Sequence, residues 1–297
     1  MFDLRYHVAS LAAVFLALII GILVGVGISD SGVVDSAKTK FLQDEVASLQ
    51  RRLDNKSTQS ADKARDRVVA QSFINETYPA LAQNRLKGRH VAVVFVGSDE
   101  GASSAVDINS ALTDAGAGQL RLRALKMPVD IPQLERALAK QPAAAGLRGR
   151  SNLEGLGRAL GEELAQGGDT PLWNSLTEAL VEHNVGGAKP PADGVVVVRT
   201  APPQHGATTR LLLGLYEGLG SAGVPAVGVE QTHETSSATD IYREAGLSSV
   251  DDIDTRVGRL ALILLLQGAS PGQYGVKDSA DDGALPPMPP TATPPGG

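Results

Sequence analysis

An uncharged run from Val8 to Ile28, containing "SLAAVFLALIIGILVGVG" (Ser10–Gly27), constrains everything else in the chain. At a helical rise of about 1.5 Å per residue, its 21 residues cross a hydrocarbon core of roughly 30 Å. A cleavable signal peptide has a shorter apolar region, about 7–15 residues, followed by a small-x-small cleavage site. Here the run passes into "VGVGISDSG" with no A-x-A. Residues 1–32 therefore read as a retained transmembrane anchor, with cleavage between Ser29 and Gly32 as the alternative. Arg5, His7 and the amino terminus precede the span, and Asp30, Asp35, Lys38 and Lys40 follow it. The positive-inside rule then puts the short N-terminal flank in the cytoplasm and the remainder outside it, as a single-pass protein of the cell membrane.

Within the span Ala9, Ala13, Ala17, Gly21 and Gly25 recur every four residues. Small residues at this spacing let two membrane helices approach closely, and Gly21 to Gly25 is a G-x-x-x-G step. Residues 33–86 change character, with few glycines and many charged side chains. Leu42, Val46, Leu49 and Leu53 step by four, three and four residues, the a/d spacing of a coiled coil. The pattern weakens at Lys56, Ser60 and Lys63 and resumes loosely before Pro79, which is expected to disturb the helix. A helical coiled-coil stalk is the reading, against a solvated single helix packed on the later domain. Anchor and stalk together point to a homodimer.

Composition excludes several classes. A net charge of -6 argues against nucleic acid as a partner. The absence of cysteine removes disulfides, thiolate metal sites and cysteine nucleophiles together.

After Lys87-Gly88, "HVAVVFVG" (His90–Gly97) and "GVVVVRT" (Gly194–Thr200) are continuous β-branched runs of the kind buried on both faces of a parallel sheet. "QLRLRALKM" (Gln119–Met127) alternates, as a strand nearer an edge does, and "VPAVGVE" (Val224–Glu230) is a fourth strand. Helical patterns fall at 103–115, 131–140, 153–166, 172–183, 208–222 and 257–267. Strands alternating with such helices predict an α/β domain over 87–277, with a mostly parallel, Rossmann-like sheet. "RLALILLLQG" (Arg259–Gly268) is too short to span and reads as a buried core helix. Residues 278–297 are Pro-rich and read as a disordered tail.

No G-x-G-x-x-G follows a strand, and no Walker loop or G-x-S-x-G elbow is present, so the chain reads as noncatalytic. Ligands of open α/β sheets sit beyond the carboxyl ends of the strands. That selects Ser98, Asp99 and Glu100, then Thr200 and His205, then Glu230, His233 and Glu234. His205, His233, Glu230 and Glu234 make the candidate metal set, because imidazole suits Cu(II) or Zn(II) and carboxylates complete a shell. The same residues also suit helix-capping loops. His90 reads as a sheet residue and His183 as a cation at a helix C-terminus; Asp251, Asp252 and Asp254 read as N-terminal caps.

The anchor "SLAAVFLALIIGILVG" and the block "SSVDDIDTRVGRLALILLLQGASPGQYGVKDSA" (Ser248–Ala280) resemble the MctB family, the copper transport outer membrane proteins of actinobacteria. The order of span, helical stalk, α/β domain and tail is similar as well. The resemblance implies copper transport or homeostasis. SteB-like members of the same family imply a cell-envelope and cell-division role with a SteA-like protein partner. The residues add a constraint of their own. Cu(I) handling favours Cys or clustered Met, and the only methionines are Met1, Met127 and Met288. The repeated ten-residue alternation of an outer-membrane barrel is missing. The sequence thus leaves a copper-homeostasis membrane protein, an anchored envelope scaffold, and, least supported, an enzyme using the strand-end crevice.

Overall fold

The computed structural model describes residues 4–29, 33–186 and 190–288. It divides the chain into two compact units, Met1–Ala70 and Gln71–Gly297. In the first, α1 (Leu4–Ser29) and the start of α2 (Val33–Ala82) are helical. His7–Gly27, with a mean hydropathy of 2.8, is long and apolar enough to cross a membrane, and none of it is buried against protein. A Cβ on Gly21 or Gly25 would meet nothing within 4 Å, so the small-residue face is open in a single chain. Val46, Leu49 and Leu53 of the expected seam are exposed. The Leu42 side chain lies outside the described residues, as do residues 30–32 of the alternative cleavage region.

The second unit contains, in chain order, β1 (His90–Val96), α3 (Ser103–Asp114), β2 (Gly118–Leu125), α4 (Ile131–Ala139), α5 (Leu153–Gln166), α6 (Pro171–Leu180), β3 (Val181–Val185), β4 (Gly194–Arg199), α7 (Ala207–Gly220), β5 (Ala226–Val229), α8 (Thr239–Glu244), β6 (Ser248–Val250), α9 (Arg256–Gln267) and β7 (Gln273–Tyr274). The strands form one sheet in the order β3-β2-β1-β4-β5-β6-β7. Every pairing is parallel except that of β3 with β2.

The two apolar runs are central because both of their faces must be covered. Ala92, Val94, Val96, Val195 and Val197 join the core formed with α4 to α8. Val91, Val93, Phe95, Val196 and Val198 join the core under α3, α9 and the end of α2. Helix α9 is buried from Leu260 to Leu266, as "RLALILLLQG" predicts. Strand β2 lies next to the edge, but its alternate arginines do not face water. Arg121 and Arg123 are buried, with Arg121 donating to the carbonyls of Leu164 and Pro190, both at 2.6 Å. Backbone oxygens replace the solvent these guanidiniums would otherwise need.

Three expectations change. The helix expected over 172–183 stops at Leu180, and the chain becomes strand β3, placing Val185 opposite Leu122, Asn184 opposite Arg123 and His183 opposite Ala124. Lys126 N donates to Leu180 O at 2.9 Å at that junction. Pairing along the open edge of β2 overrides the local helical pattern. Strands β6 and β7 and helix α8 were too short to register as periodic segments. The expected tail is folded back as far as it is described beyond β7. Gly275 N donates to Gly283 O at 3.0 Å, Asp282 N to Gln273 O at 3.1 Å, and the Asp282 carboxylate accepts from Gln273 N at 2.8 Å. Residues 289–297 lie outside the described residues.

Helix α2 carries Pro79 inside it and continues to Ala82. The proline's missing N–H strands the carbonyl of Asn75, four residues earlier. Arg256, in the first turn of α9, donates to that oxygen at 2.8 Å and lies over the Tyr78 ring at 5.8 Å. Tyr78, Ala82 and Leu86 are buried, so the last turns of the expected stalk belong to the α/β core. Arg256→Ala is expected to destabilise this unit by about 1–2 kcal/mol, the sum of an exposed cation–π contact and one charged hydrogen bond, with a smaller loss for Arg256→Lys. Urea denaturation of the full chain measures it, and equal stability of the three proteins would remove the proposed role of this arginine.

Candidate functional site

The residues singled out beyond the strand ends do line the carboxyl rim of the sheet, where the loops are tied to one another. Thr200 N and Ala201 N both donate to Val96 O, at 3.1 and 2.9 Å, and Thr200 Oγ1 donates to Ser98 O at 2.8 Å. The loops after β1 and β4 are thereby stitched across the point where the strand order reverses.

Beside this seam, the half-exposed imidazole of His183 from the edge strand meets the largely shielded carboxylate of Asp99, with Nδ1 2.8 Å from Oδ2. With the carboxylate oxygen accepting, Nδ1 is the donor of this pair. Asp99 Oδ1 is buried without a partner. The sequence reading missed this pair because it placed His183 on a helix. Only the antiparallel pairing of β3 brings it back to the rim.

The candidate metal set separates into two kinds of residue. Glu230 is buried, and its carboxylate accepts from Ser237 Oγ at 2.9 and 3.1 Å, from Ala238 N, and from Lys277 Nζ at 3.1 Å. Its charge is balanced and its lone pairs are engaged, so it works as a clamp between the loop after β5, the approach to α8 and the segment after β7. Glu234 is exposed and accepts from Ser236 N at 3.1 Å. His205 and His233 are exposed. Among the described residues no group of three or more His, Asp or Glu is placed to hold a metal ion.

The acidic run after β6 does more than cap. Asp252 accepts from Thr255 Oγ1 at 2.8 Å, and Thr255 in turn caps α9 through Gly258 N at 2.9 Å. Asp254 reaches away to the loop after β5, accepting from Thr232 N at 2.7 Å and Thr232 Oγ1 at 2.9 Å. Asp251 holds the folded-back segment, accepting from Val276 N at 2.8 Å and from Lys277 N at 3.2 and 3.3 Å. Gly275, at φ +143°, lies against this carboxylate, where a Cβ would collide with it. The distinctive block from Ser248 to Ala280 is thus the joinery of the sheet's last two strands.

This joined block, carried on an α/β chain that begins with one apolar helix, has a counterpart among known proteins. A family model described as copper transport outer membrane protein, MctB, matches residues 1–286. The chain belongs to the MctB family. No functionally curated protein matches it. The match runs from the apolar helix to the folded-back segment, and its last residue, Pro286, is buried. The family description implies a role in copper transport and an outer-membrane setting. The described strands of this member form one open, mostly parallel sheet, and one helix has the length and apolarity to cross a membrane.

Proposed function

We propose that this MctB-family protein is a noncatalytic, membrane-anchored component of copper homeostasis, retained by α1 and acting as a homodimer through the Gly21–Gly25 face and the Leu42–Leu53 seam. The family match over residues 1–286 carries the reading. Copper is cargo here and not a resident cofactor. With no cysteine and three scattered methionines, the chain offers harder ligands than Cu(I) prefers. The proposal assigns copper contact to the accessible imidazoles of His205 and His233, with Glu234 as the neighbouring carboxylate. Glu230 is left out because its oxygens are already engaged by Lys277, Ser237 and Ala238.

The test is growth of a deletion strain across a copper series, complemented with the wild-type gene or with a His205→Ala, His233→Ala double variant. The proposal expects copper sensitivity on deletion, rescue by wild type, and poor rescue by the double variant at equal membrane abundance. Full rescue by the double variant would remove the rim histidines from the mechanism. Normal copper tolerance combined with chained, poorly separated cells would replace the copper reading with an envelope scaffold that acts through a SteA-like partner.

A further inference from the structure

A cavity of about 360 Å³ lies where the end of α2 packs on α3 and α9. Tyr78 and Pro79 line it from α2, Gln83 from the turn that follows, Asp114 from the end of α3, and Arg256 and Arg259 from the first turn of α9. Sites for small molecules span about 300–1,000 Å³ and carry a few convergent polar groups. This cavity has that size and that lining.

Its charges are held apart and not paired. Arg256 donates to Asn75 O at 2.8 Å and lies over the Tyr78 ring, 5.8 Å from the centroid. The Tyr78 hydroxyl donates to Asp114 Oδ2 at 2.9 Å. One buried ring therefore fixes a cation over its face and an anion at its hydroxyl. Neither Arg256 nor Asp114 forms an ion pair among the described residues, with each other or with a third group. Burial, and then the bond to Asp114, hold the Tyr78 hydroxyl well above the ordinary phenol pKa, so it stays a donor. Arg259, whose charge is met by Asp107, follows Arg256 by three residues and brings a second guanidinium to the same helix face.

Arg256 and Asp114 are both exposed to water, so the site offers preorganisation: opposite charges at fixed places, with no ion pair to break before a ligand binds. An ammonium toward Asp114 and a carboxylate toward the two guanidiniums answer both charges. In a free α-amino acid these two groups sit on one carbon. In a dipeptide they are separated by the ~3.8 Å between successive Cα atoms plus a bond at each end. The wider arrangement suits charges that the phenol ring keeps from meeting.

We propose that this cavity binds a zwitterionic dipeptide, with its ammonium on Asp114 and its carboxylate on Arg256 and Arg259. At about 10–15 Å³ per water-sized group, a dipeptide of about eleven heavy atoms needs roughly 110–165 Å³. The remaining volume admits side chains larger than methyl. The inference is independent of the copper role.

Isothermal titration of the full chain in lipid nanodiscs, in metal-free buffer with empty nanodiscs as the blank, tests it with dialanine. N-acetyl-dialanine, which lacks the ammonium, and dialanine amide, which lacks the carboxylate, are the comparisons. The expected result is saturable binding of one equivalent of dialanine and at least tenfold weaker binding of each analogue. Asp114→Asn, which can still accept from Tyr78, should weaken dialanine at least tenfold and leave the weak affinity for N-acetyl-dialanine unchanged. Gln83→Trp, which fills the cavity from its exposed wall, should abolish binding. Absence of saturable binding to wild type overturns the proposal, as does an analogue that binds as tightly as dialanine. So does unchanged affinity in Asp114→Asn, or, should that variant fail to fold, retained binding in Gln83→Trp.

Discussion

Gly214→Ala is expected to destabilise the α/β unit by ~3 kcal/mol or more, lowering its thermal midpoint by roughly 6–12 °C. Helices α5 and α7 touch backbone to backbone through four glycines. A Cβ on Gly214 would be driven into the Glu154 carbonyl and one on Gly218 into that of Arg158. From the other helix, a Cβ on Gly157 would meet the Leu211 carbonyl and one on Gly161 that of Leu215. All four obstacles are backbone, which cannot rotate aside as a side chain can, so the helices must separate. Separation also strains the Arg158–Glu217 ion pair that bridges them and opens the Leu160, Leu211 and Leu215 core. Gly157→Ala should act likewise, and the double variant should lose less than the sum, because the first substitution already provides the spacing. Gly146→Ala is the control: a Cβ there meets nothing within 4 Å, and little change is expected. Thermal and urea unfolding of the full chain give these values; a Gly214→Ala protein as stable as wild type would mean that the two helices separate freely.

The same small-residue spacing was legible in the sequence in one place and overlooked in another. In the anchor, Gly21 and Gly25 stand out because everything around them is apolar. In α5 and α7 the G-x-x-x-G steps are embedded in ordinary amphipathic helices, where a glycine reads as a helix weakness. Central strands were legible because burial on both faces writes a continuous apolar run, as in "HVAVVFVG". Strand β3 was not, because "VEHNV" is short and polar and becomes a strand only through its partner.

The rim was legible as a location and illegible as a constellation. That ligand-type residues follow β1, β4 and β5 comes from chain order alone. Which of them are engaged depends on segments far away in sequence. Glu230 pairs with Lys277, 47 residues on, at the very end of the expected α/β domain. Asp99 meets His183 across 84 residues. The acidic run was legible as a cap for α9 only in part, since two of its three carboxylates serve other loops.

Asp252 makes the strongest pH prediction. Its side chain is fully buried; Oδ2 is held by Thr255 and Oδ1 has no partner. Burial, with the charges of Asp251 and Asp254 adding to it and the Thr255 hydroxyl opposing it, pushes the carboxyl from 3.8 up to about 6. A carboxyl whose pKa is raised on folding binds its proton more tightly in the folded state. Its contribution to stability is therefore fully present below about pH 4 and is lost as pH rises through about 6. The size is about 3 kcal/mol over that window. Asp252→Asn, uncharged throughout and still able to accept from Thr255, should be more stable than wild type at pH 7 and should converge with it near pH 4. Urea denaturation of the two proteins from pH 4 to 7.5 reads the difference directly, and other titrating groups cancel in the comparison. Parallel curves would mean that Asp252 keeps an ordinary carboxyl in the fold. Convergence would show that the first turn of α9 rests on a protonatable group, so that mild acid tightens the corner where the family's distinctive block joins the sheet.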